Sequence, residues 1–143
     1  MSDNQTSSSV KDGILPESQL IAAFDKQQIS AAEPLLDGQI QPASLDLRLG
    51  ARAWRIQASF LPGRGQTVMD KIDKFSMYEL DLTQGAVLET GCVYIVELLE
   101  SLALPESLSA TANPKSSTGR LDVFTRLITD GAVEFEAVAA GYT

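Results

Sequence analysis

Gln41-Pro42-Ala43-Ser44-Leu45-Asp46-Leu47-Arg48-Leu49-Gly50 is the stretch on which the fold class turns. Leu45, Leu47 and Leu49 alternate with Ser44, Asp46 and Arg48, the period of two that belongs to a strand with one face buried. The spacing predicts a half-buried strand that Gly50 punctuates. It also places Asp46 and Arg48 on one side, where they can pair with each other. A surface pair of that kind is worth about 0–1 kcal/mol and carries no functional message.

Working outward towards the C-terminus, Ala51 to Phe60 continues an extended pattern through Trp54, Ile56 and Ala58, and Leu61-Pro62-Gly63-Arg64-Gly65 reads as a loop. Met77 to Leu82 alternates again. Ala86 to Glu89 and Cys92 to Val96 flank Thr90-Gly91, a hairpin-turn signal, and a further run ends at Leu104-Pro105-Glu106-Ser107. Short strands with turn signals every ~8–12 residues predict a mainly β domain, a barrel or sandwich. Towards the N-terminus, Leu20 and Phe24 stand at helical spacing behind Pro16, which suits a first turn, so a short helix is expected over Glu17 to Gln27. Residues 1–12 are rich in Ser, Asn, Gln and Asp and are expected to be a disordered tail, leaving 13–143 as the domain.

A length of 143 residues suits one domain and one core, and 44% hydrophobic with 21% charged residues is the balance of a soluble globular protein. The formal net charge of -8 repels polynucleotide backbones, so a nucleic-acid polymer is not the expected partner. A small anion remains compatible, because it needs only a few local cations and amides. No window reaches the ~18 uninterrupted apolar residues of a membrane span. The longest apolar-rich stretch, Val93 to Leu104, is broken by Glu97, Glu100 and Ser101. The single cysteine, Cys92, excludes an internal disulfide, and the polar N-terminus has no apolar signal region, so a cytoplasmic setting is expected. Cys92 itself, in an apolar run, is expected to be buried and inert.

The chain contains no histidine. That removes Ser-His-Asp and Cys-His nucleophilic catalysis. It also removes zinc-dependent deamination, which needs a His or Cys plus a Cys-x-x-Cys pair to hold the metal. Hydrolytic chemistry here must use carboxylate, hydroxyl, Lys, Arg or backbone groups.

Asn113-Pro114-Lys115-Ser116-Ser117-Thr118-Gly119-Arg120 gathers two cations, three hydroxyls and a glycine into eight residues. Polyphosphates are held by this mixture: an Arg fork, a Lys point charge, hydroxyls, and amides at a Gly-containing turn. By composition alone, a solvated Ser-rich turn explains the segment at least as well, and the order is not that of a Walker A loop. Ala139-Ala140-Gly141-Tyr142-Thr143 reads as a turn with an aromatic that could pack on a ring or simply in the core. Asp122, Asp130, Glu134 and Glu136 read as solvent-facing and receive no catalytic role. Trp54, between Arg52 and Arg55, reads as core rather than as a nucleic-acid surface.

Taken together, these pieces resemble a known family. Gln41 to Gly50 is similar to the [QN]-x-A-S-[LV]-D-[LV]-R-L-G block of dCTP deaminases. Lys115 to Arg120 resembles their R-S-S-x-[AG]-R block, and Gly141-Tyr142-Thr143 resembles the P-G-[YW]-x-G block they share with dUTPases. The wording around them resembles a proteobacterial subgroup whose chains can carry two such domains in tandem. The resemblance implies a dUTPase-like β-barrel with a short N-terminal helix, assembled as a homotrimer. It implies hydrolysis of dCTP to dUTP and ammonia without zinc, Mg²⁺ arriving on the triphosphate, and dTTP as a possible inhibitor.

Carried over residue by residue, Ser116 and Arg120 are the catalytic positions that hold the attacking water and stabilise the reaction centre. Lys115, Ser117 and Gly119 lie at the triphosphate, and Tyr142 lies at the sugar and base. Two positions depart from the pattern. Lys115 keeps the charge of the first Arg but not its fork. Ala139 stands where the family often has an Asp on the deoxyribose. The family's general-base Glu follows the Gly-Tyr block, beyond Thr143, so the 143-residue chain is expected to be an incomplete barrel, truncated at its C-terminus, with little turnover of its own. A dUTP diphosphatase and a non-catalytic nucleotide-binding subunit are the alternatives.

Overall fold

The computed structural model describes residues 13–139. The tail expected over 1–12 and the Gly141-Tyr142 end lie outside the described residues.

Helix α1 (Glu17–Asp25) begins behind Pro16, whose carbonyl accepts from the Gln19 and Leu20 amides at 2.9 and 3.0 Å. It stops two residues before the expected Gln27. Gln27 itself adopts φ +56°. The Gln28 amide returns to the Ala23 carbonyl and the Gln27 amide to Phe24, both at 2.9 Å, the paired bonds of a Schellman ending. Leu20 and Ala23 are the buried face of α1. With Ile29 they form a first core cluster, against which Leu15, Phe24, Ile40, Leu45 and Leu102 pack.

Strand β1 (Ile29–Ala31) pairs antiparallel with β7 (Glu100–Leu102), and β2 (Ile40–Gln41) with β3 (Ser44–Leu45). The expected continuous strand from Leu45 to Leu49 is interrupted. After β3 the chain leaves the ladder over 46–48, and it re-enters as β4 (Leu49–Ile56). Leu47 and Leu49 are 42% and 62% exposed, so the leucine alternation does not mark a buried face.

The longest strand, β4, is the centre of a three-stranded antiparallel sheet in the order β5-β4-β6, with β5 (Ser76–Asp81) and β6 (Val93–Leu98) at its sides. Its C-terminal half carries the second core: Trp54 and Ile56, together with Ile72, are buried, and Phe60, Val68 and Ile95 pack on them. Trp54 is therefore a core residue, its indole N–H donating to Glu79 at 3.1 Å. The β4–β6 register slips between Leu49 and Ala53. In that bulge the Glu97 carboxylate folds across β4 and accepts the Arg52 amide at 3.0 Å and its guanidinium at 3.0 and 3.2 Å. Gly50 leaves room for this: a Cβ there would stand 2.5 Å from Glu97 Cγ.

Helix α2 (Val68–Phe75) is absent from the sequence reading. A capping box starts it. Thr67 Oγ1 accepts from the Asp70 amide at 3.0 Å, and Asp70 accepts from the Thr67 amide at 2.8 Å. Val68, Ile72 and Phe75 then fall on one face, and Ile72 reaches the core.

The hairpin expected around Thr90-Gly91 forms on one side only. Residues 86–89 are not a strand, and the turn delivers the chain into β6, with the Cys92 amide on the Glu89 carbonyl at 3.3 Å. Cys92 is half-buried, not buried, because it sits at the entrance to β6. Two short strands, β8 (Ala110–Thr111) and β9 (Ala137–Val138), pair antiparallel. The described strands thus form one three-stranded sheet and three two-stranded ribbons, a mainly β chain with a short N-terminal helix as expected. No helix among the described residues is long and apolar enough to cross a membrane.

Candidate functional site

Pro114 biases the residue before it towards extended backbone and ends the run that begins with β8. Lys115, with φ -67° and ψ 133°, then opens a single helical turn, α3 (Ser116–Gly119). The Thr118 amide returns to the Lys115 carbonyl at 3.0 Å and the Arg120 amide to Ser116 at 3.1 Å. The Gly119 amide also closes on Lys115, at 3.4 Å, so it faces back into the turn rather than outward to a ligand. Asp122, at φ +56°, turns the chain away. Lys115, Ser116, Ser117 and Arg120 are all exposed on this one turn. Ser116 and Arg120, four residues apart, share a face.

The partners of Asp46 and Arg48 overturn the expectation that they pair with each other. The Asp46 carboxylate accepts from the Lys115 ammonium, across 69 residues of sequence. Arg48 pairs with Glu100 instead, Nε to Oε1 at 2.8 Å. The Glu100 side chain is 1% exposed. It also accepts the Arg48 amide at 2.8 Å and the Gln39 side-chain amide at 2.7 Å. Arg48 completes its fork on the Pro34 and Glu33 carbonyls at 2.9 and 3.2 Å. Burial alone would raise the Glu100 pKa, but these donors outweigh it and hold the carboxyl below its ordinary range. Over 46–48 the backbone bonds are mixed: the Asp46 amide reaches the Gln39 carbonyl and the Arg48 carbonyl accepts from the Leu99 amide, both at 3.0 Å, while the Arg48 amide goes to the Glu100 carboxylate.

Of the three cations between Lys115 and Arg126, two are therefore neutralised from a distance. Lys115 is met by Asp46, and Arg126 by Glu136, whose carboxylate it grips with both Nε and Nη2. Glu136 is thus not a free solvent-facing acid. Arg126 also lies over Phe135 and Phe124, 4.5 and 5.6 Å from the ring centroids. Among the described residues Arg120 has no carboxylate within ion-pair distance, which leaves it the unneutralised cation of the segment.

Beside the turn is an open cleft of about 540 Å³, bordered by Asn113, Pro114, Phe124, Arg126 and Glu136. Its size falls in the range of small-molecule sites. The β8–β9 ribbon and the Ala112 amide on the Glu136 carbonyl at 2.8 Å close its wall. Phe124 and Arg126 border the cleft although composition does not single them out. The Phe-x-Arg pattern beside the Ser-rich block was the available signal. Among the described residues no three of His, Cys, Asp and Glu gather as a metal site.

Residues 11–143 match the sequence model of the 2'-deoxycytidine 5'-triphosphate deaminase N-terminal domain. The chain belongs to the dCTP deaminase family. Its structure superposes on the crystal structure of 2'-deoxycytidine 5'-triphosphate deaminase from Agrobacterium tumefaciens with a TM-score of 0.89 and 59% identity, over 92% of this chain and 38% of that one. The mainly β architecture is therefore the dUTPase-like fold of dCTP deaminases. A dCTP deaminase, dUMP-forming, from Methanoculleus marisnigri is 36% identical over 95 residues, 64% of this chain and 47% of that protein. A dCTP deaminase from Halorubrum lacusprofundi is 35% identical over 64% of this chain and 46% of its own length. The chain thus spans about half the length of these curated relatives.

Proposed function

We propose that this chain acts in the zinc-independent hydrolytic deamination of dCTP to dUTP and ammonia. Lys115, Ser117 and Arg120 would hold the triphosphate, and Ser116 and Arg120 would order the attacking water at the base. The observation that carries this reading is the Asp46–Lys115 contact. It joins the two most specific family blocks in space, next to the open cleft that Asn113 and Pro114 border. Arg120 supplies an exposed, unneutralised fork for phosphate oxygens. The Gly119 amide is directed back to the Lys115 carbonyl, so any contact of Gly119 with the triphosphate would come from its open Cα side rather than from its amide. Tyr142, by family likeness, would complete the sugar and base side.

Mg²⁺ belongs to this scheme as the counter-ion of the triphosphate, carried on phosphate oxygens. A grip on the triphosphate is indifferent to the base, so dTTP would compete for it. The exposed Leu121 and Phe124 beside the turn suit coverage by a neighbouring copy in a homotrimer.

A second product is favoured by one observation: the Methanoculleus relative is dUMP-forming by name. The Agrobacterium protein, 59% identical, is a deaminase by name without that addition. Product analysis separates the two readings. Of whatever dCTP·Mg²⁺ is turned over, dUTP with ammonia is the expected product; dUMP with pyrophosphate would assign the dUMP-forming reaction. Arg120→Ala should weaken dCTP binding, read by titration calorimetry, by about tenfold or more, the loss of a charge-assisted bond. Unchanged affinity would overturn the phosphate grip.

A further inference from the structure

The Lys115 side chain is 64% exposed, and its one described ionic partner is Asp46, itself 35% exposed. Asp46 is not free to follow a wandering lysine. Its amide donates to the Gln39 carbonyl at 3.0 Å, and its carbonyl accepts from the Gln39 side chain at 3.0 Å. Gln39 is in turn 5% exposed and donates to the buried Glu100 carboxylate. One buried glutamine thus grips both backbone groups of Asp46. The carboxylate that reaches Lys115 stands on a fixed base, while Ser116, Ser117 and Arg120 are exposed.

We propose that Asp46 is a positioning residue of the triphosphate site, holding the Lys115 ammonium in place before the nucleotide arrives. The inference rests on reading Lys115–Arg120 as that site. An ammonium has three N–H donors, and one bond to Asp46 leaves two for phosphate oxygens. A free lysine stem loses much rotamer freedom when a ligand fixes it. Fixing it beforehand removes part of that loss from the binding step. This also answers the substitution of Lys for the family's Arg. A lysine lacks the planar fork that orients an arginine by itself, and the Asp46 carboxylate supplies the missing orientation from outside.

The test is a double-mutant cycle on dCTP·Mg²⁺ binding by the whole chain, with Asp46→Ala, Lys115→Ala and the pair together. Asp46→Ala is expected to bind about fivefold more weakly, at the scale of one exposed ion pair. Asp46→Asn, which keeps an acceptor oxygen, should recover part of the loss. The double variant should bind no worse than Lys115→Ala alone. In the nucleotide-free protein, amide exchange at Thr118 and Arg120 should quicken in Asp46→Ala, with the melting temperature nearly unchanged. Equal or tighter binding by Asp46→Ala, or losses that simply add, would overturn the proposal. If Lys115→Ala and Arg120→Ala both leave binding intact, the site reading itself falls and takes the proposal with it. Failure at Asp46 alone leaves that reading standing.

Discussion

Glu100→Gln is the substitution that the structure constrains most tightly. The carboxylate sits at 1% exposure and receives three donors: the Arg48 guanidinium, the Arg48 amide and the Gln39 amide. Glutamine has the same shape, but one of its two terminal atoms is an NH₂ group. Whichever way it turns, a donor then faces a donor, and the Arg48 guanidinium, 15% exposed, loses its counter-charge. Breaking one side of a buried pair typically costs 3–5 kcal/mol. We expect about 3 kcal/mol, because Arg48 keeps its bonds to the Glu33 and Pro34 carbonyls. At a urea slope of roughly 1–3 kcal/mol per molar, the midpoint should fall by about 1–3 M.

The pH dependence has a definite sign. The folded Glu100 carboxyl lies below its ordinary value of 4.5, so the unfolded chain takes up the proton first as pH falls. Its contribution is complete above about pH 4.5 and disappears as pH drops from there through the folded value. Glu100→Gln should abolish that part of the acid sensitivity. Denaturant unfolding followed by tryptophan fluorescence between pH 3 and 7 tests both statements. A loss under about 0.5 kcal/mol at pH 7, or an unaltered acid limb, would refute the reasoning.

Two further outcomes follow from backbone geometry. Gly50→Ala should destabilise by about 1–3 kcal/mol, because its Cβ would meet Glu97 Cγ at 2.5 Å and dislodge the carboxylate from Arg52; adding Glu97→Ala should recover part of the loss in thermal melts. Gln27→Gly should raise stability by up to about 1 kcal/mol in denaturant titrations, because Gln27 holds φ +56° at the end of α1, where glycine is unstrained; a loss would refute the cap assignment.

Much of the architecture could be read from local pattern, and the misreadings have physical causes. Helix α1 was visible because Leu20 and Phe24, at helical spacing, both pack into one core, but its end was not, since a non-glycine residue, Gln27, carries the left-handed turn. Helix α2 escaped notice although Thr67-x-x-Asp70 announces it. It has only eight residues, and its charged face dilutes the apolar spacing. The leucines at 45, 47 and 49 suggested an unbroken strand because periodicity cannot reveal a buried acid arriving from 52 residues away. The same limit explains Asp46 and Arg48. Their spacing offered each to the other, whereas Lys115 and Glu100 are the partners that the fold brings. The site was found through family blocks rather than through charge, because the local excess of cations is largely cancelled by Asp46 and Glu136.

The stretch from Leu121 to Glu136 has no regular secondary structure, yet it is fastened at both levels of the molecule. Arg126 locks onto Glu136, and the Asp130 carboxylate takes the Val68 amide at the head of α2. The Gly131 amide meets the Gln66 carbonyl at 2.8 Å, and the Gly63 amide meets Ala132 at 3.0 Å. The stretch behaves as a strap riveted at separate points rather than as a loop. The wall of the cleft and the cap of a distant helix therefore form one mechanical part. Slack introduced between the rivets, near Val123, can be absorbed, but a shift at Asp130 would be felt at both ends.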